Sequence, residues 1–311
     1  MTQHDVIIVG AGMAGISCAR MLADAGQRVI VLDKGRGIGG RLATRRTPDG
    51  WQFDHGAQYV RAKSDGFADV LSGMRGANAA DLWDNGTEDQ WVGVPGMNAL
   101  AKDLAQGLAV EQKAEVTALG QSTDGWEVQT PSAAYRAALV VLTVPAPQAA
   151  ALLGDGHPLA ARLRPVTMLP CLTLMAVFGA GPEPFVTRRE PGDPLAWIAL
   201  NSSKPGRAGP GCWVAQAGPA FSAAHIEKTF DEISELMLPM LCDRLGADPA
   251  TVIHAGAHRW RYARVDEPLG APFLADTSGT VFLGGDWCLG ARVEAAWTSG
   301  TAIARRILED G

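Results

Sequence analysis

The first residues able to do chemistry form a glycine turn. "VIIVG" (Val6 to Gly10) is an unbroken apolar run, as a buried parallel strand should be. It leads into Gly10-Ala11-Gly12-Met13-Ala14-Gly15, a GxGxxG at the passage from strand to helix. In such a turn Gly10 permits the tight bend, Gly12 lets backbone approach a pyrophosphate, and Gly15 lets the helix sit close to the strand. The helix N-terminus then offers N–H groups and partial positive charge to the phosphates. A helix is expected from about Ala14 to Ala25, stopped at Gly26 and followed by the β-run "RVIVL", which ends at Asp33. That acid stands where ribose hydroxyls are bound, and it would repel a 2′-phosphate. The unit reads as a dinucleotide site without separating NAD from FAD.

The next residues extend it. In "DKGRGIGGRLATRR" (Asp33 to Arg46) the glycines make a turn that can present the Arg41 guanidinium to a diphosphate, while Arg45 and Arg46 read as solvated. "FDHGAQY" (Phe53 to Tyr59) offers close backbone approach at Gly56 and one amide, Gln58, able to bond a heteroaromatic ring. A core strand with a bulge at Gly56 is the alternative. Near the far end, "VFLGGD" is a strand whose glycines do not form GxGxxG, so a second dinucleotide site is not expected there. No acid–base dyad, nucleophile elbow or metal-ligand spacing stands out. His55 reads as a structural hydrogen bonder, Cys288 as a small apolar group, and Lys204, in a turn before Pro205, as solvated.

These motifs need a scaffold, and 311 residues allow one large or two modest domains. With 47% hydrophobic and 19% charged residues the composition is that of a globular chain. A net charge of -6 without like-charge runs argues against nucleic acid and anionic membranes as partners. The best apolar stretch, "AALVVLTVPAPQAAALL", is split by Pro145 and Pro147, so no membrane helix is expected. An N-terminus that enters the glycine turn at once and five scattered cysteines without CxxC point to the cytoplasm. "VVLTVP" reads as a further buried strand, and "EVTALG" with "GWEVQT" as an antiparallel excursion. Three β-like runs, "CLTLMAVF", "LAWIAL" and "CWVAQAG", precede an amphipathic helix expected to be capped by Ser222, with Ile226, Phe230, Ile233, Met237 and Leu241 on one face. Together these predict an α/β fold: a Rossmann-like dinucleotide domain with a second α+β domain on an antiparallel sheet.

The glycine turn, its acid and "GGR" resemble the two-domain flavoprotein oxidases of the amine-oxidase type, and more specifically the bacterial renalases. "FDHGAQY", "WVGVPGMNAL", "LTVPAPQ", "LAWIALNSSKPGR", "HRWRYAR" and "GGDWCLGARVEAAWTSG" carry the resemblance across nearly the whole chain in order. The segment from Trp83 to Gln90 is shorter than that family's pattern.

The resemblance implies one non-covalent FAD on a domain of glutathione-reductase type, gripped by both ends of the chain. Cofactor binding would fall to Gly10 to Gly15, Asp33, Lys34, Arg41, Gly56, Ala57, Gln58, Val116, Gly285 and Asp286. Backbone at Arg292, Val293 and Glu294 would face the flavin N1–C2=O edge. Tyr59, Arg61 and Trp287 would border the substrate. Residues 1–74, 106–152 and 256–311 would form the FAD domain, and 75–105 and 153–255 the substrate domain. The implied reaction is oxidation of misreduced dihydronicotinamide dinucleotides by O2, without metal. Amine oxidation is the alternative, and non-catalytic flavin binding a third.

Overall fold

The computed structural model describes residues 3–310 apart from 124, 180, 208 and 210. It resolves into two compact units: residues 1–40, 101–168 and 265–311 in the first, 41–100 and 169–264 in the second. Residues 41–74, expected with the cofactor domain, pack with the second unit. The reason is local: Phe53, on the short strand Gln52–Asp54, is buried among Met175, Val177 and Val214 of the antiparallel sheet.

In the first unit the strands run in the order Leu274–Ala275, Val281–Leu283, Ala134–Leu142, Gln3–Val9, Val29–Asp33, Ala109–Gln112. The last five are mutually parallel, with Val6 opposite both Leu139 and Val29. The expected excursion is present as Ala118–Ser122 and Gly125–Gln129, antiparallel to one another. Val6, Ile7 and Ile8 are wholly buried because both sheet faces are covered. Ile7 and Val9 face Trp126, Val128, Leu159 and Trp287. Val6 and Ile8 face Ile16 and Leu22 of helix Met13–Asp24 and Ile303 and Ile307 of helix Val293–Asp310.

Close approach decides how those two helices meet. A Cβ on Gly300 would stand 2.0 Å from the Ala14 carbonyl oxygen, and one on Gly15 would stand 1.9 Å from the Gly10 carbonyl oxygen. Only hydrogen atoms fit at either place.

The second unit is built on a five-stranded sheet, Thr187–Arg189, Trp197–Leu200, Cys212–Gln216, Met168–Phe178 and Val252–Val265 in that order. Its first four strands pair antiparallel. Ile233, Met237 and Leu241 of helix Phe230–Leu245 fill one face with Leu172, Leu174 and Ile198. The expected single helix is broken. Pro219–Ala224 ends before Ile226, and the long helix starts at a capping box between Thr229 and Glu232, which meets two of its open amide donors locally. Ser222 is not the cap; its hydroxyl accepts from the Leu172 amide at 3.1 Å. Phe230, expected on the buried face, is 46% exposed. No helix among the described residues is long and apolar enough to cross a membrane.

Candidate functional site

In the first unit the glycine turn is pinned from two sides. The Thr143 hydroxyl lies 3.0 Å from the carbonyl oxygens of both Val9 and Gly10, and the Gly10 amide donates to the Leu32 carbonyl at 2.8 Å. Gly12 precedes helix Met13–Asp24 with no side-chain cap, and a Cβ added there would meet nothing within 4 Å. The first amides of a helix have no carbonyl one turn back, the feature an anion site uses.

Asp33, expected at the ribose, makes two contacts within the protein. One carboxylate oxygen accepts from the Ala11 amide and the other from the Gly35 amide, each at 2.6 Å. The acid therefore braces the glycine turn against the loop that follows it. The Gly39 amide donates to the Ala11 carbonyl at 2.9 Å, laying that second loop alongside the first. The amides of Lys113 and Ala114 bond the carbonyls of Gly35 and Asp33, which brings the segment holding the buried Val116 to the same edge. Lys34 is exposed there. Residues 10–15, 33–39 and 113–116, far apart in sequence, are thus joined by hydrogen bonds at one end of the parallel strands.

The C-terminal motif completes this unit. The Gly285 amide bonds the Ser299 hydroxyl at 2.9 Å, tying the turn to helix Val293–Asp310. Asp286 follows, 7% exposed, with its carbonyl accepting from the Gly290 amide at 2.7 Å. Arg292 does not offer its amide as expected, because that amide donates to the Gly290 carbonyl at 2.7 Å. Val293 and Glu294 lie in the first turn of helix Val293–Asp310. Trp287 is a correction. It is wholly buried, its indole N–H donates to the Val144 carbonyl at 3.1 Å, and it packs the core without bordering a substrate. Burial pushes the Cys288 thiol up to about 12, so it is inert as a nucleophile.

In the second unit the "FDHGAQY" turn is held against the backbone of Arg41. The Ala57 amide donates to the Arg41 carbonyl at 2.8 Å, and a Cβ on Gly56 would stand 2.0 Å from that oxygen. One arm of the Arg41 guanidinium is 3.1 Å from the Ala263 carbonyl. Tyr59 and Trp197 form a tilted ring pair with centroids 5.6 Å apart, and the Arg61 guanidinium lies 5.6 Å over the Tyr59 ring. The Trp197 indole N–H is buried with no acceptor among the described residues.

Gln58 is turned inward, contrary to its expected role against a flavin heteroatom. Its amide nitrogen donates to the carbonyls of Asp54 (2.5 Å) and Gly56 (3.1 Å), and its oxygen accepts from the Lys204 ammonium at 3.2 Å. Lys204 is the largest correction. Expected in solvent, it is 2% exposed and bonded to Asp54 at 3.2 Å. Arg207 reaches the same Asp54 oxygen at 2.5 Å, and the Met97 amide and Thr44 hydroxyl bond the other. Burial alone would raise the Asp54 carboxyl, but the two cations and these donors hold it down to about 2. Burial brings the Lys204 ammonium down to about 8 despite Asp54, with Arg207 adding repulsion. The charges in "NSSKPGR" were the only sequence sign of this centre, and nothing local pairs them with Asp54, 150 positions away.

His55 sits next to that centre. Its ring stacks on Trp260 (centroids 5.3 Å) and meets His258 edge-on (4.7 Å). Burial, then His258 and Arg45, lower its imidazole to about 3, so it is uncharged at neutral pH. Arg45 is not simply solvated, since its guanidinium is 3.3 Å from the His258 ring nitrogen. No group of acidic, histidine or cysteine side chains among the described residues could hold a metal.

Comparison with known proteins agrees with this geometry. The NAD(P)-binding Rossmann-like domain pattern matches residues 8–72, and that of flavin containing amine oxidoreductases matches 64–308. The chain is 45% identical over 60 residues to an L-amino-acid oxidase of Siganus canaliculatus, a match covering 19% of this chain and 11% of that protein. It is 44% identical over 59 residues to a carotenoid 3,4-desaturase of Haloarcula japonica, covering 19% and 12%. The chain thus matches only about a tenth of these relatives' length. Among solved structures, a chain assigned as a protoporphyrinogen oxidase from Exiguobacterium sp. 255-15 superposes over 100% of both chains with a TM-score of 0.79 at 14% identity. Putrescine oxidase bound to putrescine does so over 99% of both with a TM-score of 0.76 at 14% identity. At such identities the structural likeness speaks for the fold.

Proposed function

The chain belongs to the flavin-containing amine oxidoreductase family, and from that premise we propose that it is an FAD-dependent oxidase acting on misreduced dihydronicotinamide dinucleotides. The observation that carries the substrate class is the wall of Tyr59, Trp197 and Arg61. Two aromatic faces suit a flat ring, the Trp197 N–H can donate to a carboxamide oxygen, and a guanidinium attracts phosphates while repelling an ammonium substrate. Arg61 thus sets this reading above amine oxidation.

FAD, when bound, would supply a hydride acceptor at N5 and a two-electron carrier that dioxygen can reoxidise, with hydrogen peroxide as product. The open amides after Gly12 bind the diphosphate, and Asp33 holds the loop that presents them. The carboxylate of Asp286 and the first-turn amides at Val293 and Glu294 are assigned to the ribityl chain and the pyrimidine edge. The helix end contributes up to ~2 kcal/mol toward negative charge there. On the family pattern, Arg41, Gly56 and Ala57 are assigned to cofactor binding. Gln58 is assigned to shaping the turn that carries them. The buried Cys288 thiol supports non-covalent binding. His55, with its imidazole lowered to about 3, is a weak base, consistent with a donor that needs no proton removed by the protein.

The test is anaerobic mixing of the purified yellow protein with 6-dihydro-NAD, ordinary NADH and a panel of amines. Rapid bleaching of flavin absorbance by the isomer is the expected result. Bleaching by an amine and not by the isomer would transfer the assignment to amine oxidation, the alternative that fits the family match.

A further inference from the structure

The buried centre of the second unit carries an imbalance of charge. Asp54, Lys204 and Arg207 have side chains at most 1% exposed, and two cations share one carboxylate. Arg207 already gives Asp54 a 2.5 Å partner, so Lys204 is the surplus charge. Taking a charge out of water is costly unless an opposite charge balances it. The Asp54–Arg207 pair is balanced in charge without this ammonium.

What Lys204 does is hold Gln58. With its oxygen taken by Lys204, the Gln58 amide can only turn its N–H groups inward, onto the Asp54 and Gly56 carbonyls. Gly56 is thus held from one side by Gln58 and from the other by Gln216, whose amide donates to the same carbonyl at 2.7 Å. The Tyr59 ring follows at the end of this turn. The charged groups acting on Lys204 are Asp54 and Arg207, and Trp83 presents its ring 5.1 Å away.

We propose that Lys204 is a pH-gated positioning residue: its ammonium holds Gln58, and through it the Gly56–Tyr59 turn, and loss of its proton loosens that hold. A charge-assisted hydrogen bond is roughly twice as strong as a neutral one, so the protonated form holds the amide more firmly. The cofactor-facing part of this proposal rests on the function proposed above; the Lys204–Gln58 coupling stands apart from it. Burial places the ammonium's proton loss near pH 8, inside the range a cell and an assay can reach.

The experiment compares wild type, Lys204→Met and Gln58→Leu from pH 7 to pH 10.5, by thermal melting, flavin absorbance spectrum and rate of flavin reduction by 6-dihydro-NAD. The folded ammonium titrates near 8 and the unfolded one at 10.5, so the unfolded chain binds more protons between those values. Wild-type stability should accordingly rise with pH across that window relative to Lys204→Met. The wild-type flavin spectrum should change near pH 8 and that of Lys204→Met should not, with its reduction rate lower by roughly tenfold. Gln58→Leu, which keeps the lysine, should reproduce the flat spectrum and slow reduction, and the double variant should add little to either. Unchanged spectra and rates in both single variants, or the same melting profile with and without the lysine, would overturn the proposal. A wild type that holds no flavin overturns the cofactor reading instead, and the melting profiles still decide the coupling.

Discussion

Gly300 lies directly against the carbonyl of Ala14, so that the last helix of the chain and the helix opening at the glycine turn meet without a side chain between them. This contact places Asp286 and the start of the final helix in the same unit as Gly10 to Gly15. Gly300→Ala must push the helices apart, at a cost of about 1–3 kcal/mol. Its melting temperature and its FAD content after gel filtration should both fall; a variant normal in both would refute the packing.

Gly12→Ala separates the fold from the cofactor. The residue is extended at φ -80°, and its added methyl meets no protein atom within 4 Å. The protein should melt normally while binding FAD at least about tenfold more weakly, about 1.4 kcal/mol, because the methyl stands where phosphate approaches. Titration of the apoprotein with FAD reads this directly.

Asp54→Ala should be the most damaging single change in the second unit. It leaves Lys204 and Arg207 facing each other in a dry interior, a loss of about 3–5 kcal/mol. Combining it with Lys204→Met should recover part of the loss, and urea titration of the four proteins measures how much. In wild type, the folded carboxyl at about 2 lies below its ordinary 3.8. Its contribution is complete above pH 4 and lost as pH falls toward 2.

Acid should destabilise the protein earlier through the imidazoles. His55 is lowered to about 3 and His258, by burial and then by Arg45 and Arg259, to about 4, against 6.5 when unfolded. The unfolded chain therefore takes up protons first. Stability present above pH 6.5 drains as pH falls toward 4, by up to about 1.4 kcal/mol per pH unit for each group wholly affected. His55→Leu should flatten that part of the melting profile, and an undiminished slope would count against the burial of the neutral ring.

Much of the first unit was legible because its information is local. A β-branched run, three glycines at fixed spacing and an acid at the end of the next strand each follow from backbone geometry over a few residues, and the strand, turn, helix and strand stand where they were expected. Helix starts were less legible. Ser222 and Thr229 are both competent caps, and only the second has Glu232 three residues on to complete the pair.

Trp287, Gln58 and Lys204 mark the other limit. Their types allowed a ring wall, a cofactor bond and a solvated turn; in the fold they are core packing, an inward clamp and a buried cation. Sequence alone settled the dinucleotide-type turn, the α/β class and the antiparallel second sheet, since periodicity and glycine spacing act at short range. Tertiary structure alone decided which charges lose their water. That depends on Asp54, Lys204 and Arg207 meeting across some 150 residues, where desolvation and Coulomb attraction, absent in the extended chain, become the largest forces on each.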